Sequence, residues 1–313
     1  MTTLESANYL RELDNILILT HLRPDGDTIG CAAALCQALR DLGKTAYLLY
    51  NSEITATYEA YAAPYWAQDG FAAESIVAVD IADTKLLPEN AKIYEKSINI
   101  CIDHHPSNSR YAQRLCLDAT AGAAGEIIYE IITHLTPITP AIAMPLYVAI
   151  STDTGCFVYS NTTARTHRIA AELMAMLDVA QVNKALFRTK SRVRLAMESR
   201  MVAEMELYDE NRVVVMKIPL SLRQEMHATE ADIEELASLA ALVEGTDCGI
   251  TLRELRPGVI KVSVRSGPRV NASEVCARLG GGGHRAAAGT TVEGTMDEVK
   301  RAVLQSVAET VGK

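Results

Sequence analysis

Three short apolar runs near the start of the chain each lead into acidic residues, and this pattern narrows the possible folds more than any other feature. The runs cover residues 15–20, 75–79 and 99–102, and segments with helical periodicity, such as residues 31–42 and 124–134, alternate with them. Short strands that alternate with helices predict an α/β fold with a parallel sheet covered by helices on both faces. Ligands of such sheets bind at the carboxyl ends of the strands, where Asp80 and Asp103 are expected.

A second folding unit is predicted to begin near residue 209. Strands are expected over residues 212–218, 249–255 and 259–265, and helices over residues 230–241 and 297–311. The segment between the two units has a helical pattern rich in Arg and Lys. The predicted organisation is therefore an N-terminal parallel-sheet domain over residues 1–185, a linker helix over residues 186–208 and a smaller C-terminal α/β domain over residues 209–313.

The charge of the chain excludes some partners. The net charge is −9, which argues against a basic groove that holds long nucleic acid. The charge is unevenly spread, because residues 253–313 contain 10 basic and 6 acidic residues, whereas residues 1–252 contain 20 and 33. This asymmetry predicts a metal site in the larger acidic part and an anion site in the basic part.

Cysteine usage and hydropathy indicate the compartment. The seven cysteines are scattered without a C-x-x-C pair, so neither a disulfide framework nor a zinc knuckle is predicted. No apolar run reaches about 18 residues, and the N-terminus is polar and unlike a signal peptide. We therefore expect a cytoplasmic protein with no membrane association.

Four segments concentrate the side chains that bind hard metal ions. They supply three His and five Asp, all at predicted ends of strands or helices: His21, Asp25 and Asp27; Asp80; Asp103, His104 and His105; and Asp153. Each segment alone has a simpler explanation: a D-G-D turn often caps a helix, a lone Asp often pairs with a base, and vicinal histidines can pack at a strand end. A single D-T-G also resembles half of an aspartic-protease site. The co-occurrence of all four favours a centre for Mn²⁺, Mg²⁺ or Fe²⁺ over structural zinc.

These segments, in this order and spacing, resemble the DHH phosphoesterase superfamily. The matching motifs are H-x-x-P-D-G-D-x-x-G from His21, V-x-D ending at Asp80, D-H-H-P from Asp103, and T-D-T-G around Asp153. The similarity continues through Arg265-Ser266, Asn271 and the G-G-G-G-H run that ends at His284, which is similar to the DHH-associated domain. The resemblance thus covers nearly the whole chain.

The resemblance implies roles for individual residues. His21, Asp25 and Asp80 would hold one divalent ion, and Asp27, Asp80, His104 and Asp153 the other, with Mn²⁺ expected first and Mg²⁺ or Fe²⁺ as alternatives. Asp103 would orient a histidine, and His105 would contact the reacting phosphate or share that orienting role. The residues implied to bind substrate lie in the C-terminal part and are Arg265, Ser266, Asn271, Gly281, Gly282, Gly283 and His284. The glycine run would offer its N–H groups to a phosphate.

The compact length is similar to that of the stand-alone members. These degrade oligonucleotides of two to five residues to mononucleotides and dephosphorylate 3′-phosphoadenosine 5′-phosphate. The expected partners are therefore short single-stranded RNA or DNA, or small nucleotides. A linear dinucleotide phosphodiesterase acting on pApA or pGpG and a nucleotide-binding protein with an inactive metal site stay open as alternatives. The direction of cutting, the RNA or DNA preference, the metal used in the cell and a homodimeric state are left open by the sequence.

Overall fold

The computed structural model describes residues 1–310, apart from the side chains of Glu234 and Glu235. The chain divides into two compact units, the first ending at Thr189 and the second beginning at Lys190. Within the described residues, no helix has the length and apolarity that a membrane span requires.

The first unit is built on a parallel sheet that sets side by side the strands leading into the predicted ligands. Its five strands follow the order β2-β1-β3-β4-β5, and every neighbouring pair is parallel. The strands are β1 (Ile16–Leu19), β2 (Ala46–Leu48), β3 (Ser75–Val79), β4 (Ile98–Asp103) and β5 (Arg114–Leu117). The helices are α1 (Thr3–Glu12), α2 (Gly26–Asp41), α3 (Ala56–Ala62), α4 (Ala124–Leu135), α5 (Pro140–Asp153), α6 (Ala164–Met174) and α7 (Val179–Asn183). A parallel sheet was predicted and is confirmed, whereas strand β5 was not predicted.

Both faces of this sheet are buried, as the apolar strands require. In β1, Ile16 and Ile18 join the core formed with α1, α2, α4 and α5, while Leu17 and Leu19 face the opposite cluster. That second cluster is covered by the 3-10 helix Glu89–Tyr94 and by loop residues such as Ile81 and Leu87, where helices were expected.

Glycines in α2 allow this helix to lie directly against α5. A Cβ atom on Gly30 would lie 2.3 Å from the Pro145 carbonyl oxygen, and one on Gly26 would lie 2.3 Å from Thr152 Oγ1. Neither distance is tolerated by a side chain, so only glycine permits this contact. The packing brings the first turn of α2, with Asp25 and Asp27, to the carboxyl end of α5, where Asp153 lies.

The second unit contains a mixed six-stranded sheet in the order β10-β11-β9-β8-β7-β6, with β7 and β8 parallel and the other pairs antiparallel. The strands are β6 (Glu206–Tyr208), β7 (Val213–Ile218), β8 (Cys248–Arg256), β9 (Val259–Ser266), β10 (Gly282–Gly283) and β11 (Ala287–Glu293). The helices are α8 (Arg192–Ala203), α9 (Leu220–Glu225), α10 (Glu230–Ile233), α11 (Ala272–Ala277) and α12 (Met296–Ala308).

Two predicted elements of this part differ in detail, and the end of a third lies outside the described residues. Within the predicted linker, α8 buries Met197 and Met201 in a core cluster with Val214 and Met216, so it is part of the second unit. The helix expected over residues 230–241 is α-helical only through Ile233 and continues as 3-10 turns over Glu234–Leu242. The predicted end of the last helix, Val311, lies outside the described residues.

Candidate metal centre

The turn between β1 and α2 holds three predicted ligands in fixed positions. Asp25 caps α2, because its Oδ1 accepts hydrogen bonds from the N–H groups of Asp27 at 3.0 Å and Thr28 at 3.2 Å. The ring of His21 donates from Nδ1 to the Leu22 carbonyl at 2.9 Å. A carbonyl can only accept, so Nδ1 carries a proton and, in the neutral ring, Nε2 is the atom with the free lone pair; Nε2 lies 3.5 Å from Asp25 Oδ1. The residue thus presents the tautomer that a metal ligand requires.

Asp27 joins the first turns of two helices. Its side chain is 1% exposed, and its carboxylate accepts hydrogen bonds from the N–H groups of Ala124 at 2.7 Å and Gly125 at 3.0 Å, at the start of α4. Burial and the charge of Asp25 raise its pKa to about 7. The amino end of α4 therefore orients this carboxylate, but an opposing cation would be needed to hold it fully ionised.

Asp80 lies at the centre of the cluster. It follows β3 in the left-handed backbone conformation, with φ at +57°, and it is 3% exposed. Its Oδ1 is buried and accepts no hydrogen bond from any residue that the structure describes. Burial and the charges of Asp27 and other neighbouring carboxylates raise its pKa well above the ordinary value. A buried carboxylate oxygen without a hydrogen-bond donor, surrounded by like charges, is the expected state of a ligand that binds a cation.

His104 and Asp153 complete the set of predicted ligands. His104 donates from Nδ1 to the Ala121 carbonyl at 3.2 Å, so its Nε2 faces three carboxylates: Asp80 Oδ1 at 3.6 Å, Asp153 Oδ2 at 3.8 Å and Asp27 Oδ2 at 3.9 Å. Asn161 holds Asp153 by donating to its Oδ2 at 3.2 Å. Burial and the charge of Asp27 raise the pKa of Asp153 to about 7, although His104 opposes the shift.

Asp103 lies beneath the cluster and is fully paired. Its Oδ1 accepts from the N–H groups of His104 at 2.8 Å and His105 at 3.2 Å and contacts His105 Nδ1 at 2.7 Å, while its Oδ2 accepts from Asn108 at 2.6 Å. Burial alone would raise its pKa, but the hydrogen bond and charge of His105 lower it. Asp103 thus fixes the His105 ring through Nδ1, and its predicted role in orienting a histidine stays a prediction.

The donor atoms fit divalent ions. Three overlapping groups each place their ligand atoms within 4.8 Å of one another: His21 with Asp25 and Asp80, Asp27 with His104 and Asp153, and Asp80 with His104 and His105. The imidazole–carboxylate separations of 3.4–3.9 Å in these groups are too long for hydrogen bonds but suit ligands that share a cation. Asp80 belongs to two of the groups and can bridge two ions, as the resemblance implies.

The predicted substrate residues gather at one end of the second sheet. Arg265 pairs in register with Ala287, Ser266 Oγ donates to the Arg285 carbonyl at 3.1 Å, and His284 begins the tight turn into β11. Asn271 lies beside them, because the N–H of Ala272 donates to the same Arg285 carbonyl at 2.8 Å. The structure therefore brings these residues together.

The expected phosphate nest at the glycine run needs correction. Gly282 and Gly283 form strand β10 and pair with β11. The N–H groups of Gly280, Gly281 and His284 donate to the carbonyls of Ala277, Cys276 and Ala287. These amides are occupied within the fold because the glycines serve close backbone contact. A Cβ atom on Gly281, for example, would lie 2.3 Å from the Gly289 carbonyl oxygen.

Sequence analysis did not assign the groups that orient the ligands. They are the side chains of Asn51, Asn108 and Asn161, the carbonyls of Leu22 and Ala121, and the amides of Ala124 and Gly125. Backbone groups leave no residue-type signal. Asn161 alone had one, since it closely follows the T-D-T-G motif.

Comparison with known proteins agrees with this arrangement. Residues 15–150 match the model of the DHH family, N-terminal domain, and residues 211–313 match the DHHA1 domain. The bifunctional oligoribonuclease and PAP phosphatase NrnA of Thermus thermophilus is 32% identical over 94% of this chain and 89% of its own length. The protein of the same name from Bacillus subtilis is 25% identical over 92% of both chains. An exopolyphosphatase-related protein from Bacteroides fragilis shares the fold, with a TM-score of 0.88, 21% identity and coverage of 98% and 96%.

Proposed function

The chain belongs to the DHH family of phosphoesterases and is a hydrolase of phosphate ester bonds, and on that premise we propose that it degrades oligonucleotides of two to five residues to mononucleotides. We further propose that it removes the 3′-phosphate of 3′-phosphoadenosine 5′-phosphate. The observation that carries the proposal is the buried Oδ1 of Asp80, which receives no hydrogen bond from the described residues and belongs to two groups of ligand atoms. The two NrnA relatives match over nine-tenths of this chain, and their names describe the same pair of activities.

The metal centre is proposed to hold two divalent ions. His21, Asp25 and Asp80 would bind one, and Asp27, Asp80, His104 and Asp153 the other. A donor set of four carboxylates and two imidazoles, with no thiolate among them, favours Mn²⁺, with Mg²⁺ and Fe²⁺ as weaker candidates. Bound together, such ions acidify water and neutralise the charge that develops on the phosphoryl group.

The protein's own residues prepare this chemistry. The Nδ1–H groups of His21 and His104 are held by backbone carbonyls, so Nε2 is the ring atom that each histidine would offer to a metal. Asp103 fixes the ring of His105 beside the cluster. In the proposal, His105 contacts the reacting phosphate and donates a proton to the leaving oxygen. A fixed ring orientation favours this proton transfer.

The preference for short substrates is proposed from charge. Residues 1–252 carry 33 acidic against 20 basic residues, so a long polyanion gains little by extending along this part of the chain. The side chains of Arg265, Ser266, Asn271 and His284 are proposed to bind a terminal phosphate. Arg265 suits that role because a guanidinium can donate two parallel hydrogen bonds to a phosphate.

The proposal is tested by a substrate panel on chelator-treated protein to which Mn²⁺, Mg²⁺ or Fe²⁺ is returned. The panel contains 3′-phosphoadenosine 5′-phosphate, pApA, pGpG, a five-mer, a twenty-mer and a cyclic dinucleotide. We expect metal-dependent release of mononucleotides from the two- to five-mers and a steep fall in rate for the twenty-mer. Exclusive turnover of pApA or pGpG would support the dinucleotide alternative. An absence of turnover with every metal would support a binding protein and overturn the proposal.

A further inference from the structure

A loop outside the predicted motifs supports one group of metal ligands. We call residues 118–125, which follow β5 and include the first two residues of α4, the supporting loop. Its Ala121 carbonyl accepts from His104 Nδ1 at 3.2 Å, and its Ala124 and Gly125 amides donate to Asp27. Its Gly122 carbonyl accepts from Asn161 at 2.7 Å, and Asn161 in turn binds Asp153. The three ligands of one group, Asp27, His104 and Asp153, are therefore all oriented through this loop.

The other group is oriented by different elements. His21 is held by the Leu22 carbonyl and by Asn51, which donates to the His21 carbonyl at 2.9 Å. Asp25 is held by the amides of α2. A displacement of the supporting loop would thus disturb one set of ligands and leave His21 and Asp25 in place.

Both ends of the supporting loop are held by one side chain, Arg165 of α6. Its Nη1 donates to Asp118 Oδ2 at 2.6 Å, at the start of the loop. Its Nε lies 3.4 Å from Glu126 Oε2, directly after the loop, and its Nη2 lies 2.8 Å from Glu130 Oε1, one turn further along α4. The planar guanidinium binds three carboxylates in fixed directions, which a lysine ammonium cannot reproduce.

Glu126 makes this contact important. Its side chain is fully buried and accepts from Thr166 through Oε1, while Oε2 has no hydrogen bond within the described residues and faces Arg165. A buried carboxylate at the first turn of α4 needs this counter-charge to stay where it is. The same turn carries the Ala124 and Gly125 amides that hold Asp27.

We infer that Arg165 is a positioning residue for the ion bound by Asp27, His104 and Asp153, and that it acts through the supporting loop without touching either ion or the substrate. The inference rests on the metal centre of the proposed function, but not on its substrate. Loss of a group that orients metal ligands lowers metal affinity by about 10- to 100-fold. The loss should fall on one ion only.

The test measures Mn²⁺ binding directly, by calorimetric titration and by metal analysis after dialysis, in two backgrounds that isolate each site. His21→Ala leaves the site of Asp27, His104 and Asp153, and there Arg165→Met should raise the Kd of the remaining ion by about 10- to 100-fold. Asp153→Ala leaves the site of His21, Asp25 and Asp80, and there Arg165→Met should leave the Kd unchanged. Arg168→Met, an exposed change on the same helix, serves as the matched control and should change neither.

Equal weakening in both backgrounds, or in neither, would overturn the inference, as would wild-type protein that binds fewer than two ions. If Arg165→Met does not fold because Glu126 loses its counter-charge, Arg165→Met combined with Glu126→Gln removes both charges and must show the same one-sided loss. Wild-type protein that binds two ions and hydrolyses nothing in the substrate panel would refute the proposed function alone.

Discussion

Replacing Asp80 by Asn should make the metal-free protein more stable while it destroys the metal centre. Asp80 is buried among like charges, and no donor in the part of the chain that the structure describes forms a hydrogen bond with its Oδ1. Two like charges about 4 Å apart repel by about 4 kcal/mol at an effective dielectric constant near 20. The nearby His21 and His104 offset part of this repulsion. We therefore expect a net gain of about 1–3 kcal/mol for the variant at neutral pH.

Asparagine is the appropriate substitution because of the backbone. Asp80 has φ at +57°, a conformation that Asn adopts readily, whereas Ala would add about 1 kcal/mol of strain. Its amide can also donate to neighbouring carboxylates. Asp103→Asn is the matched control with the opposite sign, because all the groups around Asp103 are donors. That change should destabilise the protein by about 2–4 kcal/mol.

The assay is thermal and urea unfolding of chelator-treated protein, repeated with saturating Mn²⁺. For a unit of this size, about 1–3 kcal/mol corresponds to a rise in Tm of roughly 2–12 °C without metal. Adding Mn²⁺ should raise the Tm of the wild type and leave that of Asp80→Asn unchanged, so the order of stability reverses. A metal-free variant that is less stable than the wild type would refute the electrostatic argument. Phosphodiesterase turnover by the variant would refute the bridging role.

Two further predictions concern the second unit. Arg265→Ala should raise KM for substrates with a terminal phosphate, which lowers kcat/KM by roughly 10- to 150-fold and corresponds to about 1.5–3 kcal/mol. Hydrolysis of bis-p-nitrophenyl phosphate, which has no terminal phosphate, and the Mn²⁺ content should not change. Equal slowing of the nucleotide substrate and of bis-p-nitrophenyl phosphate would contradict this role. For Glu206, partial burial would raise the pKa, but hydrogen bonds from Lys217 and Lys300 lower it from 4.5 to about 2. The stability that Glu206 provides is therefore present above pH 4.5 and is lost as the pH falls towards 2. After a discount for solvent screening, Glu206→Gln should lower the free energy of unfolding in urea by about 1–2 kcal/mol at pH 7 and by little at pH 2, and a loss that is independent of pH would contradict the pairing.

The residues that converge on the metal centre could be predicted because each lies at the end of a strand or helix with a clear pattern. His21 and Asp80 follow strands β1 and β3, and His104 follows the last residue of β4. The carboxyl ends of parallel strands lie at the same edge of the sheet, so residues that follow them lie close together. Most of the sheet was predictable for the same reason, since strands such as β1 and β3 are continuous apolar runs buried on both faces, whereas β5 is not.

The backbone groups that orient these ligands could not be predicted from the sequence. Every residue has a backbone carbonyl, and every residue except proline has a backbone N–H. The Ala121 carbonyl and the Ala124 amide are therefore distinguished only by their position in the folded protein. The prediction that the glycine run binds a phosphate was wrong for a related reason. Gly281 indicates close backbone approach, but the sequence does not say whether the approaching group is a phosphate or, as here, the neighbouring strand.

The glycine contact between α2 and α5 limits how the metal preference of this protein could be changed. Cavity size is one determinant of metal selectivity, and here the gap between Asp27 and Asp153 is set by helices that touch backbone to side chain at Gly26 and backbone to backbone at Gly30. A helix pair that meets on glycine has no bulk left to remove, so the gap cannot be narrowed by trimming side chains there. Any added methyl group would push the helices apart. Selection or design for a smaller ion would therefore have to act on the ligands themselves.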